Sequence, residues 1–328
     1  MLFRASGLRA LIPYVMGAGM LCGTPAWTQD APSAGDAEEA TQLGEIIVTG
    51  RRLEDAVQAY VESLSAPARM RGLARWSGEI CPDVVNLEAV AASEVTGRIT
   101  DVATAVGLTI GAEGCEPNLV VIGAEDGRVL ADAMVDRFRR QFFRFASTSS
   151  NRGTQALEAF RSTTAPVRWW HVSLPVHAVT GEPMVRLPGE RPVSPPCYSR
   201  ATATADLTVA GLGGSRTGAT CNAVTDRIIG LWIVVDVNAA EGLSWAQLSD
   251  YLAFVAMAQV EPDGDLSAFD TVLNLFDDPK GVTGITAWDE TYLTALYAGR
   301  SERIDLSEQR ARMVEAMSDA PRPSTRTP

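Results

Sequence analysis

Apolar positions along this chain recur at helical spacing in some stretches and run unbroken in others, and that contrast predicts the elements. Leu53, Val57, Tyr60, Val61 and Leu64 mark one face of a helix that Pro67 stops. Val95, Ile99, Val102 and Val106, spaced by four, three and four, mark a second helix from Leu87 to about Val106, closed by Gly107. Leu119-Val120-Val121-Ile122 lies between turn formers and reads as a buried strand. Gly127 to Phe145 reads as a helix whose acidic start and Arg-rich end suit the helix dipole. A short helix from Gly153 to Ser162 follows, then a strand of high β propensity from Val167 to Leu174. Ile228 to Val235 is continuously apolar, which places the strand Asp226 to Val237 inside the sheet, with Ala201 to Ala210 as a pairing partner.

Leu243 to Gly299 carries the densest apolar pattern. Its first helix, Trp245 to about Gln259, is apolar almost all round, as expected of a helix held between layers. Its second runs from Thr286 to Gly299. A last helix, Asp305 to Met317, opens on the capping-box pair Asp305 and Glu308. Between the strands, Thr180 to Cys197 holds five prolines and no period, an irregular excursion. The expected architecture is α+β: one domain over residues 45–318, with a small mixed sheet packed by helices and a polar tail at 319–328.

Composition narrows the class. With 46% apolar and 21% charged residues among 328, the chain can bury a full core. Forty acids against 28 Lys and Arg give a charge of -12, which argues against nucleic acid and anionic membrane surfaces as partners. Arg4 and Arg9, the apolar run from Ala10 to Cys22 and the small residues up to Ala26 have the layout of a secretory signal peptide, so residues 1–26 are expected to be removed and the protein to be periplasmic or secreted. Residues 27–44 are too poor in apolar surface to fold and are expected to form a linker. The remaining cysteines, Cys81, Cys115, Cys197 and Cys221, allow three pairings; Cys81 with Cys115 and Cys197 with Cys221 close the shortest loops.

Candidate chemistry is sparse. The chain has two histidines, His171 and His177, and no HExxH, so a His-based zinc site lacks its ligands. Ser215 has the wrong flanks for a nucleophile elbow. The run Gly211 to Gly218 lacks the Lys-Ser/Thr and the following helix of a phosphate loop. Asp270, Asp277, Asp278, Asp289 and Glu290 cluster, but Thr286 with Asp289 reads as a helix cap. No catalytic, metal or cofactor residue is assigned, and no cofactor is expected. Trp169-Trp170-His171, with the loop Gly211 to Gly218, is the candidate binding surface.

Two resemblances remain. Glu45-Ile46-Ile47-Val48-Thr49-Gly50-Arg51-Arg52 resembles the TonB box of outer-membrane transporters, which implies a periplasmic protein partner; the other reading is a short strand leading into a helix. The order of the buried helix Trp245 to Gln259, the turn Phe269 to Asn274 and Leu-Thr-Ala-Leu-Tyr-Ala-Gly at 293–299 is similar to that of zincin metallopeptidases. The resemblance implies a zincin-like fold, with Leu252 and Ala256 where the two His would stand, Ala253 in place of the Glu, and Leu273 in place of the Met beneath the metal. The scaffold is then a degenerate one; the alternative is an unrelated α+β domain. Together these readings describe an exported, non-catalytic binding or accessory protein, with a hydrolase using a carboxylate or thiol site, Asp236, Asp270 or Asp289 among the candidates, as the alternative.

Overall fold

The unbroken apolar run Ile228–Val235 lies where both of its faces meet protein. The computed structural model describes residues 53–68, 71–142, 152–177, 224–298 and 306–320. The first helix, α1, spans 53–64. There follow β1 (Pro82–Val85), α2 (Ala89–Ala105), β2 (Leu119–Ala124), α3 (Gly127–Phe142), α4 (Thr154–Ser162), β3 (Val167–His177), β4 (Val224–Asp236), α5 (Trp245–Met257), a 3-10 turn (Val272–Asn274), α6 (Ala287–Ala298) and α7 (Leu306–Ser318).

The four strands form one mixed sheet in the order β1-β2-β4-β3, with β1, β2 and β4 parallel and β3 antiparallel along the edge. Period-two alternation sorts the side chains between two cores. Leu119, Val121, Val167, Trp169, Leu231 and Ile233 face α1, α2, α5, α6 and α7. Ala124, Trp170, Val172 and Val234 face α3 and α4. This is the α+β domain with a small mixed sheet that the apolar pattern predicts, with β4 inside it.

Some details differ. β1 was not anticipated, because four half-exposed residues are too few to show a period; only pairing with β2 makes Pro82–Val85 a strand. β3 continues past Leu174 to His177, carried by its ladder with β4, and Pro175 is tolerated because β3 is an edge strand. Residues 1–52, Ala201–Ala210, Gly211–Gly218, Cys197 and Cys221 lie outside the described residues, as therefore do the leader, the linker, the TonB-box-like octet and the second cysteine pair. Among the described residues no helix is long and apolar enough to cross a membrane.

α5 organises the larger core. From Leu252 to Ala258 every residue is fully buried. Helix propensity does little here, since Phe254 and Val255 are mediocre helix formers, costing a few tenths of a kcal/mol each. Burial of each such side chain stabilises by roughly 1.5–3 kcal/mol and outweighs that. Ser244 caps the N-terminus: its hydroxyl accepts from the Gln247 N–H at 3.2 Å, and the Gln247 side chain accepts from the Ser244 N–H.

The C-terminus of α5 ends inside protein, where the last carbonyls of a helix have no intrahelical partner. Side chains from three other segments supply donors. His171 of β3 donates to the Val255 carbonyl. The Trp76 indole donates to Ala256 at 2.7 Å, and the Tyr297 hydroxyl of α6 donates to Met257 at 2.8 Å. Just beyond, Gln259 accepts the Ala74 N–H at 2.8 Å, and the Trp169 indole donates to Val260 at 3.1 Å.

Cys81 and Cys115 form a disulfide, as the loop lengths suggest, with Cα atoms 6.0 Å apart and a sequence separation of 34. It clamps the chain entering β1 to the loop before β2. Gly111 is needed beside it, because a Cβ there would stand 2.5 Å from the Cys115 sulfur. Closing a loop of this length removes unfolded-state entropy worth about 3–4 kcal/mol. Reduction, or Cys81→Ser with Cys115→Ser, is expected to lower the unfolding free energy by about that amount. Guanidinium titrations with and without reductant measure it; unchanged midpoints would show that the bridge constrains nothing.

Candidate functional site

The three positions aligned with a zincin's ligands and base are in the dry interior. Leu252, Ala253 and Ala256 are each 0% exposed and pack within the larger core. The surface imagined at Trp169-Trp170-His171 is not one surface. Adjacent strand residues point to opposite faces, so Trp169 (7% exposed) joins the larger core and Trp170 (4%) the smaller one. His171 sits beneath the end of α5, with Nε2 enclosed and unpartnered. Burial pushes its pKa down to about 3; the nearby Arg152 adds to this, while the bond to Val255 opposes it.

The clustered acids separate into different roles. Asp289, 0% exposed, is a hub rather than an acid-base group. One carboxylate oxygen accepts from the Tyr60 hydroxyl at 2.9 Å and the Thr271 hydroxyl at 2.6 Å; the other accepts from the Val272 N–H at 2.8 Å and the Thr286 N–H at 2.9 Å. The Thr286 hydroxyl accepts the Asp289 N–H and donates to the Asp270 carbonyl at 2.7 Å, completing a reciprocal cap of α6. One side chain thus ties α1, the 3-10 turn and α6 together. Burial raises the Asp289 pKa, although its donors pull the other way.

Asp236 ends β4 and accepts from the N–H groups of Gly127 and Ala239, each at 2.9 Å. Burial would raise its pKa, but these bonds and the Arg168 charge hold it below the usual carboxylate value. Asp270, Asp277, Asp278 and Glu290 are exposed. Among the described residues no three His, Cys, Asp or Glu side chains are grouped so as to hold a metal ion.

A cleft of about 290 Å³ does open beside the end of α5. Trp169 and Tyr251 form its aromatic floor, their ring centroids 6.3 Å apart. The turn after α5 supplies Glu261 and Asp265, the 3-10 turn supplies Asn274, and the segment after it supplies Asp277. Arg152 pairs with Glu261 at 2.6 Å. Tyr251 is only 6% exposed, and among the described residues its hydroxyl has no hydrogen-bond partner. Burial raises its pKa, and the neighbouring Asp277 charge raises it further. A smaller hollow of about 150 Å³ at the end of β4, lined by Val235, Leu243, Trp245 and Leu248, offers little beyond apolar walls and backbone.

No family model, curated protein or solved structure matches the chain. The cleft therefore rests on its own geometry. Of its residues the sequence singled out Trp169 and Asp277; Tyr251, Glu261, Asp265 and Asn274 were missed. The available signal was Glu261-Pro262-Asp263-Gly264-Asp265, an acidic turn directly following a fully buried helix.

Asp289→Ala leaves four donors unsatisfied and is expected to destabilise by on the order of 3 kcal/mol or more, whereas Asp289→Asn, which keeps one acceptor towards the two N–H groups, is expected to cost about 1 kcal/mol. Urea denaturation of the two variants checks the order. The His171 linkage has a definite sign. A pKa held below the unfolded value of about 6.5 means that stability is full above pH 6.5 and declines by about 1.4 kcal/mol per pH unit as the pH falls towards 3. His171→Gln, which retains a donor for Val255, is expected to remove that slope; equal slopes in denaturation series at pH 7, 5 and 4 would contradict it.

Proposed function

We propose that this is an exported, periplasmic protein that acts by binding rather than by catalysis, on a zincin-like scaffold whose metal-binding positions have been given over to the core. The observation that carries this reading is the complete burial of Leu252, Ala253 and Ala256. A metallopeptidase must present those three positions to a solvent-filled cleft, with two imidazoles on the metal and a carboxylate on its water. Here they contribute packing alone.

The leader-like residues 1–26, the acidic composition and the Cys81–Cys115 bridge support export to an oxidising compartment. On this reading Cys197 and Cys221 form the second bridge, and Glu45 to Arg52 offers an extended segment to a periplasmic partner. A carboxylate hydrolase is the weaker reading, because both oxygens of Asp289 are committed to structural donors and Asp236 caps backbone N–H groups.

The mature protein, purified without chelator, is expected to carry far less than one zinc per chain by elemental analysis. It should also leave a mixed peptide pool unchanged by mass spectrometry. Stoichiometric zinc together with chelator-sensitive cleavage would overturn the proposal.

A further inference from the structure

The walls of the cleft beside α5 are strongly one-sided in hydrogen-bonding character. Apart from the Tyr251 hydroxyl, its side-chain donors are already engaged. The Trp169 indole is on the Val260 carbonyl, both bonds of the Asn274 amide nitrogen go to the Leu266 and Phe269 carbonyls, and the Ser267 hydroxyl is on Asp265. What remains at the cleft are three acceptors, the Asn274 carbonyl oxygen, the Asp277 carboxylate and the second oxygen of Asp265, and the Tyr251 hydroxyl, which can accept or donate. Tyr251 is more than nine-tenths buried, and its hydroxyl, without a partner among the described residues, opens into the cleft, where a ligand or water can bond to it.

We infer that the cleft takes an organic cation rich in N–H donors, a guanidinium or primary ammonium group, seated on the Trp169–Tyr251 floor and bonded to Asp277, Tyr251 and Asn274. Arg152 neutralises Glu261, so Asp265 and Asp277 supply the uncompensated charge. The acids are too dispersed to converge on a metal ion, which a broad, multi-donor cation does not require. Aromatic faces beside acids favour the same class of ligand through cation–π attraction.

This inference deepens the binding-protein reading and rests on it. The same chemistry is carried by an arginyl segment of another protein or by a free polyamine, and the test separates them. The full chain is titrated calorimetrically, with Trp fluorescence in parallel, against N-acetyl-arginine amide, its neutral isostere N-acetyl-citrulline amide, and spermidine. The arginine amide or spermidine is expected to bind, with affinity falling as salt is raised, and whichever binds more tightly names the source. The citrulline compound is expected to bind at least about tenfold more weakly than the arginine amide wherever the latter binds. Asp277→Asn, at an exposed position where folding is not at stake, and Tyr251→Phe are each expected to weaken binding by about tenfold. Failure of both cations to bind at millimolar concentration, equal binding of arginine and citrulline amides, or full affinity in Asp277→Asn would overturn the site. The binding-only reading fails separately: if mass spectrometry shows an arginine-containing peptide cleaved during the titration, catalysis is present while the cation site stands.

Discussion

The structure depends on terminating a helix inside its own core. α5 is enclosed on all sides from Leu252 onward, so its last carbonyls are beyond the reach of water, and each unpaired one would cost more than a typical hydrogen bond returns. The solution brings together distant parts of the chain. His171 comes from the edge strand, Trp76 from the segment before β1, and Tyr297 from α6, each donating to a successive carbonyl. Every one of these donors must be in place for α5 to remain buried, and α5 must be buried for the sheet to have a covered face.

Asp289 is a second such junction. A carboxylate with four donors from α1, the 3-10 turn and the cap of α6 is a junction, and Tyr60 packs among Phe269, Trp288 and Tyr292 around it. Removal of one partner from such a network leaves the others buried and unpaired, which is why its members act as a unit. The same carboxylate therefore has no lone pair left for chemistry.

These two networks bear directly on function. A helix enclosed from Leu252 onward offers a ligand little beyond Tyr251, so recognition near α5 falls mainly to the loops that leave it. The acidic turn at 261–265 and the segment ending at Asp277 do this, placing acceptors above an aromatic floor made of Trp169 and Tyr251. The Trp169 indole illustrates the economy: one edge closes the cap at Val260 while the ring forms the floor.

Local pattern was enough for much of this. The helical spacing of Leu53 to Leu64 and Val95 to Val106, the all-round apolarity of Trp245 to Gln259, the Thr286–Asp289 cap and the Cys81–Cys115 bridge all follow from residues near one another in sequence, because periodicity, capping and short-loop closure are local physics. The sequence also sufficed to show that the chain lacks an HExxH ligand set, since that depends on residue identity alone. Tertiary structure alone decided the rest. Pro82–Val85 becomes a strand only through its neighbour; Trp169 and Trp170 part to opposite cores only once the sheet has faces; and His171, Trp76 and Tyr297 become caps only when segments up to 221 residues apart meet. The cleft belongs to this second class. Its polarity is set by which donors are already spent, and a hydrogen bond is spent only when the fold supplies its partner.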